Sequence, residues 1–583
     1  MTEWPTASEP PILQKRSAIP PQSSPPTVAE PSRWKKHLLF GTVVVGVLGM
    51  VVANLNARPM RPSRTARVEQ QTRPPQSVVE QVNQEFLEAA QHANVEVCGE
   101  ADWLTICRRL NLALVGSGLS LEEIRQIEQI PESERIDYWV EHLLEDDRSS
   151  DYLAERFTRA FVGTNNGPFL LFRRRRFVLW LSDEIRKGTP YDRIVQQLIA
   201  SDGLWTENPS VNFVTATMDE NNNGRADPIR LAGRTCRAFL GMRIDCLQCH
   251  DDFLGNVKLG SEDDPVEGKQ NNFHELAAFY SGAGLAKQNV FAGIRDDKRP
   301  YQVKFLGSEE ETEVAPQVPY RPDLLPEDGK VRNRLARWVT HPENKAFARV
   351  TVNRTWALLF GKPLVVPVDD IPIQGPYPAG LESLSDSFIE NHYNLRQLIR
   401  TMVSLEAFRR DSKSDRFDIT PKHEEVYAAF PLTQLRPEQV ASSIHQASRL
   451  KTIDANSAIV SQLEKFGYVN DFTKGFGDRG DDEFVAQAVT IPQRLLMMNG
   501  RLVNERTKHN PILNASSRIG ALSQNDAQAI DTAFLATLNR LPSPEEREQL
   551  VEHIVGSKGD TRGQRMSDIY WMLVNSTEFL WNH

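Results

Sequence analysis

Two cysteines and a histidine lie side by side near the middle of the chain, in the segment RIDCLQCHDD. Cys246 and Cys249 are three residues apart, so in a helical turn both thiols face one side, where each can add to a vinyl group of haem. His250 follows immediately, and its imidazole is then placed to ligate the iron. The pattern predicts haem c as the cofactor, bound by Cys246, Cys249 and His250, with His250 as the metal ligand.

Two other kinds of site use the same three residues. Two thiols at this spacing can form a disulfide or a redox-active thiol pair, and with a further His or Asp they can bind zinc. A five-residue motif with two free positions also arises by chance, so the sequence leaves these alternatives open. For haem, the sixth ligand of the iron is open as well, and the candidates are Met218, Met242 and His274.

The usual signatures of enzymes are missing from the sequence. It contains no G-x-S-x-G nucleophile elbow, no P-loop, no G-x-G-x-x-G following a predicted strand and no H-E-x-x-H. The sequence therefore identifies no catalytic residue, and whether the protein is an enzyme stays open.

Composition describes a large, mostly water-soluble chain. Of 583 residues, 40% are hydrophobic and 25% charged, and the mean hydropathy is −0.44, which excludes a polytopic membrane protein. The 68 Lys and Arg against 77 Asp and Glu give a net charge of −9, so we expect no nucleic-acid partner. Five cysteines in so long a chain do not form a disulfide framework.

One apolar run, residues 38–55, carries no charged residue and is long enough to cross a bilayer as a single helix. More than thirty residues precede this run and no clear cleavage site follows it, which favours an uncleaved anchor in contact with the lipid bilayer. Positive charges balance on its two sides and do not decide the orientation. Because haem c attachment and stable disulfides belong outside the cytoplasm, we expect the bulk of the chain to be extracytoplasmic, at the cytoplasmic (inner) membrane.

Helical periodicity dominates the remaining sequence, with helix-start signals at Ser120 and at Ser543. Pro and Gly residues cluster between Gly282 and Gly329, which indicates a domain boundary there. The predicted fold class is mostly α, with a single N-terminal transmembrane helix followed by two helical extracytoplasmic domains. The predicted segments are a disordered Pro-rich tail (1–33), a transmembrane anchor (34–56), a Pro/Arg-rich stalk (57–78), a domain with CxxCH (79–285), a linker (286–329) and a C-terminal helical domain (330–583).

Several ordered stretches resemble the two paired planctomycete domains of unknown function, the first of which is catalogued with planctomycete cytochromes. The first domain's pattern lies in FLGMRIDCLQCHDD and NNFHELAAFY, and the second's in RLARWVTHPENKAFARVTVNRTWALLFGKPLVVPVDD and NLRQLIRTMVSLEAFRRDS. The resemblance implies no established activity. Relatives typically continue the motif as CHDHK, whereas Asp252 replaces the second histidine here, and a Cys pair that relatives often carry is missing near GDRGDDEF.

These observations predict a membrane-anchored extracytoplasmic protein that binds a c-type haem and transfers electrons to an unknown protein or redox partner. The alternative is a non-enzymatic cell-envelope scaffold or binding protein in which Cys246 and Cys249 form a structural disulfide.

Overall fold

The computed structural model divides the chain into two units, residues 1–71 and residues 72–583. The structure describes residues 75–164, 172–218, 224–260, 265–286, 293–454, 459–477, 480, 484 and 490–583, all of which belong to the second unit. Within these residues helices predominate, which confirms the predicted helical class.

Ten helices lie in the N-terminal half of the described chain. The start of α3 confirms a predicted signal, because the Ser120 hydroxyl accepts from the Glu123 N–H and the Glu123 carboxylate accepts from the Ser120 N–H. The helices are α1 (Gln76–Ala93), α2 (Trp103–Leu114), α3 (Leu121–Glu128), α4 (Arg135–Glu145), α5 (Asp147–Val162), α6 (Arg174–Lys187), α7 (Tyr191–Ala200), α8 (Asn212–Thr215), α9 (Pro228–Thr235) and α10 (Gln270–Ala277).

The strands are short and pair two by two in antiparallel fashion. Three of the pairs follow the CxxCH segment, and two of these occupy part of the region predicted as a linker. A fourth pair joins two segments that are distant in sequence. The pairs are β1 (Lys258–Gly260) with β2 (Pro265–Glu267), β3 (Ala283–Leu285) with β4 (Ile294–Asp296), β5 (Tyr301–Lys304) with β6 (Glu311–Val314), and β7 (Thr433–Gln434) with β8 (Trp581–Asn582).

The C-terminal half of the described chain is built from helices that follow one another closely. Ser543 caps its helix in a second reciprocal capping box with Glu546, as its sequence predicts. The helices are α11 (Val331–Val339), α12 (Lys345–Phe360), α13 (Leu381–Glu390), α14 (Leu395–Ser404), α15 (Glu406–Arg409), α16 (Pro421–Glu425), α17 (Pro437–Ala447), α18 (Ile459–Phe476), α19 (Ile491–Asn499), α20 (Arg501–Thr507), α21 (Ala515–Leu522), α22 (Asp526–Thr537), α23 (Pro544–Ile554) and α24 (Gly559–Val574).

One hydrophobic core runs through both halves. Its members extend from Val79 to Leu580 and include the fully buried rings of Trp139, Trp338 and Trp356. The core residues of the described chain form one cluster within the 72–583 unit.

The predicted fold is wrong in its transmembrane helix. No helix formed by the described residues is both long and apolar enough to cross a membrane. The longest of them, α1 and α18, have 18 residues each, and charged residues interrupt their apolar positions, as Glu80, Glu85 and Glu88 do in α1. The run 38–55, the predicted tail and anchor, and the predicted stalk up to residue 74 lie outside the described residues.

A buried arginine of α2 ties the first half to the second. Arg109 is fully buried, and its guanidinium donates to the backbone oxygens of Phe408, Arg410 and His583 at 2.8 to 2.9 Å. The same group lies 3.7 Å above the centre of the Phe430 ring. Burial lowers the pKa of Arg109 to about 9, so the group remains charged at neutral pH.

We expect Arg109→Ala to lower the free energy of unfolding of the 72–583 unit by roughly 3–5 kcal/mol, since three carbonyl oxygens lose their donor. Urea denaturation followed by circular dichroism measures the loss. Arg125→Ala is the control, because Arg125 is exposed and forms an exposed ion pair with Glu128 one turn away, so its loss should cost under about 0.5 kcal/mol. Equal stabilities of the two variants would contradict this role of Arg109.

Candidate functional site

The CxxCH residues lie on a loop. The C-terminal half of the described chain holds the segment that leads into this loop. Helix α9 continues into a π-helical turn, Cys236–Leu240, which ends at Gly241. Gly241 has φ +61°, and a Cβ there would lie 3.0 Å from the Cβ of Val350 on α12, so the turn requires glycine. The Gly241 oxygen accepts from the Ile371 N–H at 2.7 Å. A short 3₁₀ turn, Asp245–Gln248, then carries the chain into the motif.

Arg354 of α12 also holds the segment that leads into the CxxCH loop. Its buried guanidinium donates to the backbone oxygens of Ala238 at 2.8 Å and Arg237 at 3.3 Å. One residue beyond Met242, Arg243 forms an ion pair with Asp369 at 2.7 Å. The second half therefore positions the chain directly before Cys246.

Asp252 organises the loop after the motif. The residue is buried, and its carboxylate accepts from the N–H groups of Leu254 at 3.1 Å and Val257 at 2.5 Å. These backbone hydrogen bonds, that of Val257 above all, lower the pKa of Asp252. The carboxylate of Asp252 thus binds the backbone of its own loop.

Gln270 and His274 of α10 bind the backbone at the centre of the motif. The Gln270 amide and the His274 Nε2 both contact the backbone oxygen of Gln248, at 3.1 and 3.0 Å. Because a carbonyl oxygen can only accept, Nε2 of His274 carries the proton, and Nδ1 accepts from the Tyr301 hydroxyl at 2.9 Å. Burial lowers the pKa of His274, which favours this neutral form.

The three candidates for a sixth iron ligand are all buried in the structure. Met218 and Met242 are buried in the core, and His274 is buried with both ring nitrogens hydrogen-bonded. The described structure does not bring any of the three to the outer face of the loop.

Cys246, Cys249 and His250 are all exposed, and the His250 ring is not enclosed by side chains. Nδ1 of His250 lies 2.7 Å from the Asp251 oxygen, so this nitrogen donates, and in the neutral imidazole the lone pair is then on Nε2. In the described structure Nε2 has no hydrogen-bond partner.

Two apolar side chains extend from the loop next to this imidazole. The Phe253 ring stacks on His250 at 5.9 Å between ring centres, and it is 78% exposed. Leu254 is 83% exposed. The outer face of the loop thus combines two thiols, an imidazole nitrogen with a free lone pair and apolar surface.

The thiol of Cys246 is not activated as a nucleophile. Its pKa is raised, first by partial burial and then by the negative charge of Asp252, so the protonated thiol predominates at neutral pH. The other three cysteines, Cys98, Cys107 and Cys236, are buried free thiols, and all five are unpaired. Within the described part of the chain, no group of three or more His, Cys, Asp or Glu residues is arranged to hold a metal ion.

The fold and loop define a mostly α protein of two interlocked halves with an outward-facing CxxCH segment. Residues 81–280 match the family model PSCyt2 and residues 331–474 match PSD1, each described as a protein of unknown function (DUF1549 and DUF1553). The chain thus carries the paired domains of unknown function typical of planctomycete-type proteins, which confirms the predicted resemblance at the level of these domains. The two matches assign no role to the CxxCH. No curated protein and no solved structure matches the chain.

Sequence reasoning missed the role of Asp252, although a signal was present. Asp252 and Gly255 are three residues apart, and Asp at the first and Gly at the fourth position are typical of a β-turn. Gly255 has φ +70°, a backbone conformation that favours glycine. The segment therefore predicts a turn closed by Asp252.

We expect Asp252→Asn to loosen the loop at neutral pH, because the amide retains one acceptor oxygen where the carboxylate uses two. The lowered pKa keeps the wild-type carboxylate ionised, and its contribution is lost only as the pH falls below about 3.8 and through the folded-state value. Hydrogen–deuterium exchange of peptides covering residues 250–258 measures the change. Glu267→Gln, an exposed carboxylate on β2, is the control. Unchanged uptake in Asp252→Asn would contradict this role.

Proposed function

We propose that the protein carries one c-type haem, attached through Cys246 and Cys249 with His250 as axial ligand, and passes electrons to a partner outside the cytoplasm. The observation that carries the proposal is the orientation of His250. Its Nδ1 lies 2.7 Å from the Asp251 oxygen and donates to it, which leaves Nε2 as the ring nitrogen for a metal on an exposed residue that follows two exposed cysteines in the chain. Histidines that ligate metals almost always donate their other ring N–H in this way.

The apolar side chains of the loop support a flat, largely apolar ligand. Phe253 and Leu254 are among the most exposed large hydrophobic residues of the described chain, and leaving them in water is unfavourable by roughly 25 cal/mol per Å². A macrocycle attached to the neighbouring thiols covers surface of this kind. Bound haem supplies reversible one-electron chemistry at its iron.

The hydrogen bonds that hold the backbone of the loop also fit this function. Gln248 lies between the two cysteines, and its carbonyl is held by two buried donors, Gln270 and His274. A fixed backbone keeps both thiols and the imidazole in one arrangement, so little ordering is needed when the haem is attached. Since none of Met218, Met242 and His274 reaches this face, the sixth iron position in our proposal is open to solvent or to a partner.

The proposal places the site outside the cytoplasm because covalent haem attachment and stable disulfides both belong to that side. It rests on the CxxCH loop and requires no membrane-spanning helix.

An absorption spectrum of the full chain, produced in a periplasm with cytochrome c maturation, tests the proposal. We expect a Soret band with α and β bands on reduction, and absorbance that survives denaturation because the haem is covalently bound. Cys246→Ala/Cys249→Ala should be colourless. Cys236→Ala, which removes a buried thiol of the same half, should remain coloured.

A folded wild-type protein without a Soret band would refute haem attachment. Titration of thiols in the unfolded protein then distinguishes a Cys246–Cys249 disulfide from two free thiols. Three titratable thiols instead of five would support the alternative of an envelope scaffold with a Cys246–Cys249 disulfide, which is compatible with the exposure of both cysteines.

A further inference from the structure

Haem iron has two axial positions, and in the proposed site His250 occupies one of them. In cytochromes c the other position is commonly filled by a Met or a His of the protein. Residues 75–583 contain 11 His and seven Met residues, and each of them lies within the residues that the structure describes. The position and burial of every such candidate in this part of the chain are therefore known.

The hydrogen bonds of the CxxCH loop show which candidates are near it. Those that join residues 246–257 to the later part of the described chain all go to the segment 268–274. That segment contains one His, His274, and no Met. On the other side of the loop, Met242 lies four residues before Cys246. Met242 and His274 are therefore the first candidates for the second axial position.

His274 already uses both of its ring nitrogens. The residue is 1% exposed, its Nε2 donates to the Gln248 oxygen at 3.0 Å, and its Nδ1 accepts from the Tyr301 hydroxyl at 2.9 Å. Turning this ring toward an iron would take a partner from both groups, at a cost of about 1–3 kcal/mol for each group left unsatisfied. Ligation by His274 is therefore unfavourable in this fold.

Met242 and Met218 belong to the hydrophobic core, and they are 5% and 0% exposed. Moving such a side chain out of the core costs roughly 1.5–3 kcal/mol of burial. The segment around Met242 is also held on both sides, since the Gly241 oxygen accepts a hydrogen bond at 2.7 Å and Arg243 pairs with Asp369 at 2.7 Å. Neither thioether is therefore available to the iron without a local rearrangement of the core.

The other 14 His and Met residues of this part of the chain lie on different elements. Two of them are in α1 and α4, and twelve are within residues 341–583. Five of the twelve are buried, among them Met402 and His445, which are both 0% exposed. The two segments that hold the loop, 236–243 and 268–274, contain none of the 14.

Lysine amines are a further kind of nitrogen ligand. Lys258 and Lys269 flank the end of the loop, and both are exposed. At neutral pH a lysine carries an ammonium group, which has three donors and no lone pair to give a metal. These two residues therefore do not compete for the iron at neutral pH.

Resting on the proposed function, we infer that the haem iron takes its sixth ligand from solution. The ligand is a small molecule with a lone pair on carbon or nitrogen, the class to which carbon monoxide, cyanide and imidazole belong. Solvent reaches this part of the chain, because His250 is exposed and Phe253 and Leu254 are 78% and 83% exposed. The site is then a centre that binds small ligands as well as an electron carrier.

Spectroscopy of the full chain, produced with the cytochrome c maturation machinery, tests this inference. The oxidised protein without added ligand should give the electron paramagnetic resonance signal of high-spin iron, since no second strong ligand is bound. Carbon monoxide should shift the Soret band of the reduced protein, and cyanide should shift that of the oxidised protein in a saturable way. A cytochrome c with His and Met as axial ligands is the reference, and it should be low-spin.

Two conservative variants separate this inference from ligation by a methionine. Met218→Leu and Met242→Leu nearly preserve the buried volume and remove the thioether. Each should bind cyanide within about twofold of the wild-type affinity, because the position is already free. If either methionine occupied it, the loss of that side chain would raise the cyanide affinity at least about tenfold. Circular dichroism verifies the fold of each variant.

Covalent haem that is low-spin in the wild type and does not respond to carbon monoxide would overturn this inference and leave the proposed function standing. A tenfold gain in cyanide affinity in Met218→Leu or Met242→Leu would overturn it too, and would identify that methionine as the ligand. A folded protein without covalent haem would refute the proposed function, and this inference with it.

Discussion

Buried guanidinium groups that donate to backbone oxygens join the two halves of the 72–583 unit, and the candidate site depends on them. Arg109 of α2 binds three backbone oxygens of the second half, and Arg332 of α11 binds Asp202, Asp296 and two backbone oxygens of the first. An arginine presents five donors in a planar fork, so one side chain can satisfy several acceptors at once. Each buried charge is therefore tied to both halves of the fold.

This interlocking reaches the CxxCH loop through Arg354. Its hydrogen bonds to Arg237 and Ala238, and the bond from Ile371 to Gly241, hold the chain that leads into the motif. The loop itself is then closed by Asp252 and supported by α10. Residues of the PSD1 match thus position residues of the PSCyt2 match, which gives a physical reason for the pairing of the two domains.

Local signals in the sequence predicted part of this arrangement. The capping boxes at Ser120 and Ser543 are short-range and were confirmed, and helical periodicity predicted the class. The contacts that build the site were not predictable in the same way, because Arg354 meets Ala238 across 116 residues and His274 meets Gln248 across 26. Apolar content alone predicted a membrane helix, but no helix formed by the described residues is long and apolar enough to cross a membrane.

The mass of the intact, denatured protein after coexpression with the cytochrome c maturation machinery tests the central claim most directly. Our account predicts a polypeptide heavier by one haem, and the mass of the bare chain for Cys246→Ala/Cys249→Ala, because only thioether bonds survive denaturation. A wild-type mass equal to that of the bare chain, or two hydrogens below it as a disulfide requires, would contradict haem attachment at this loop.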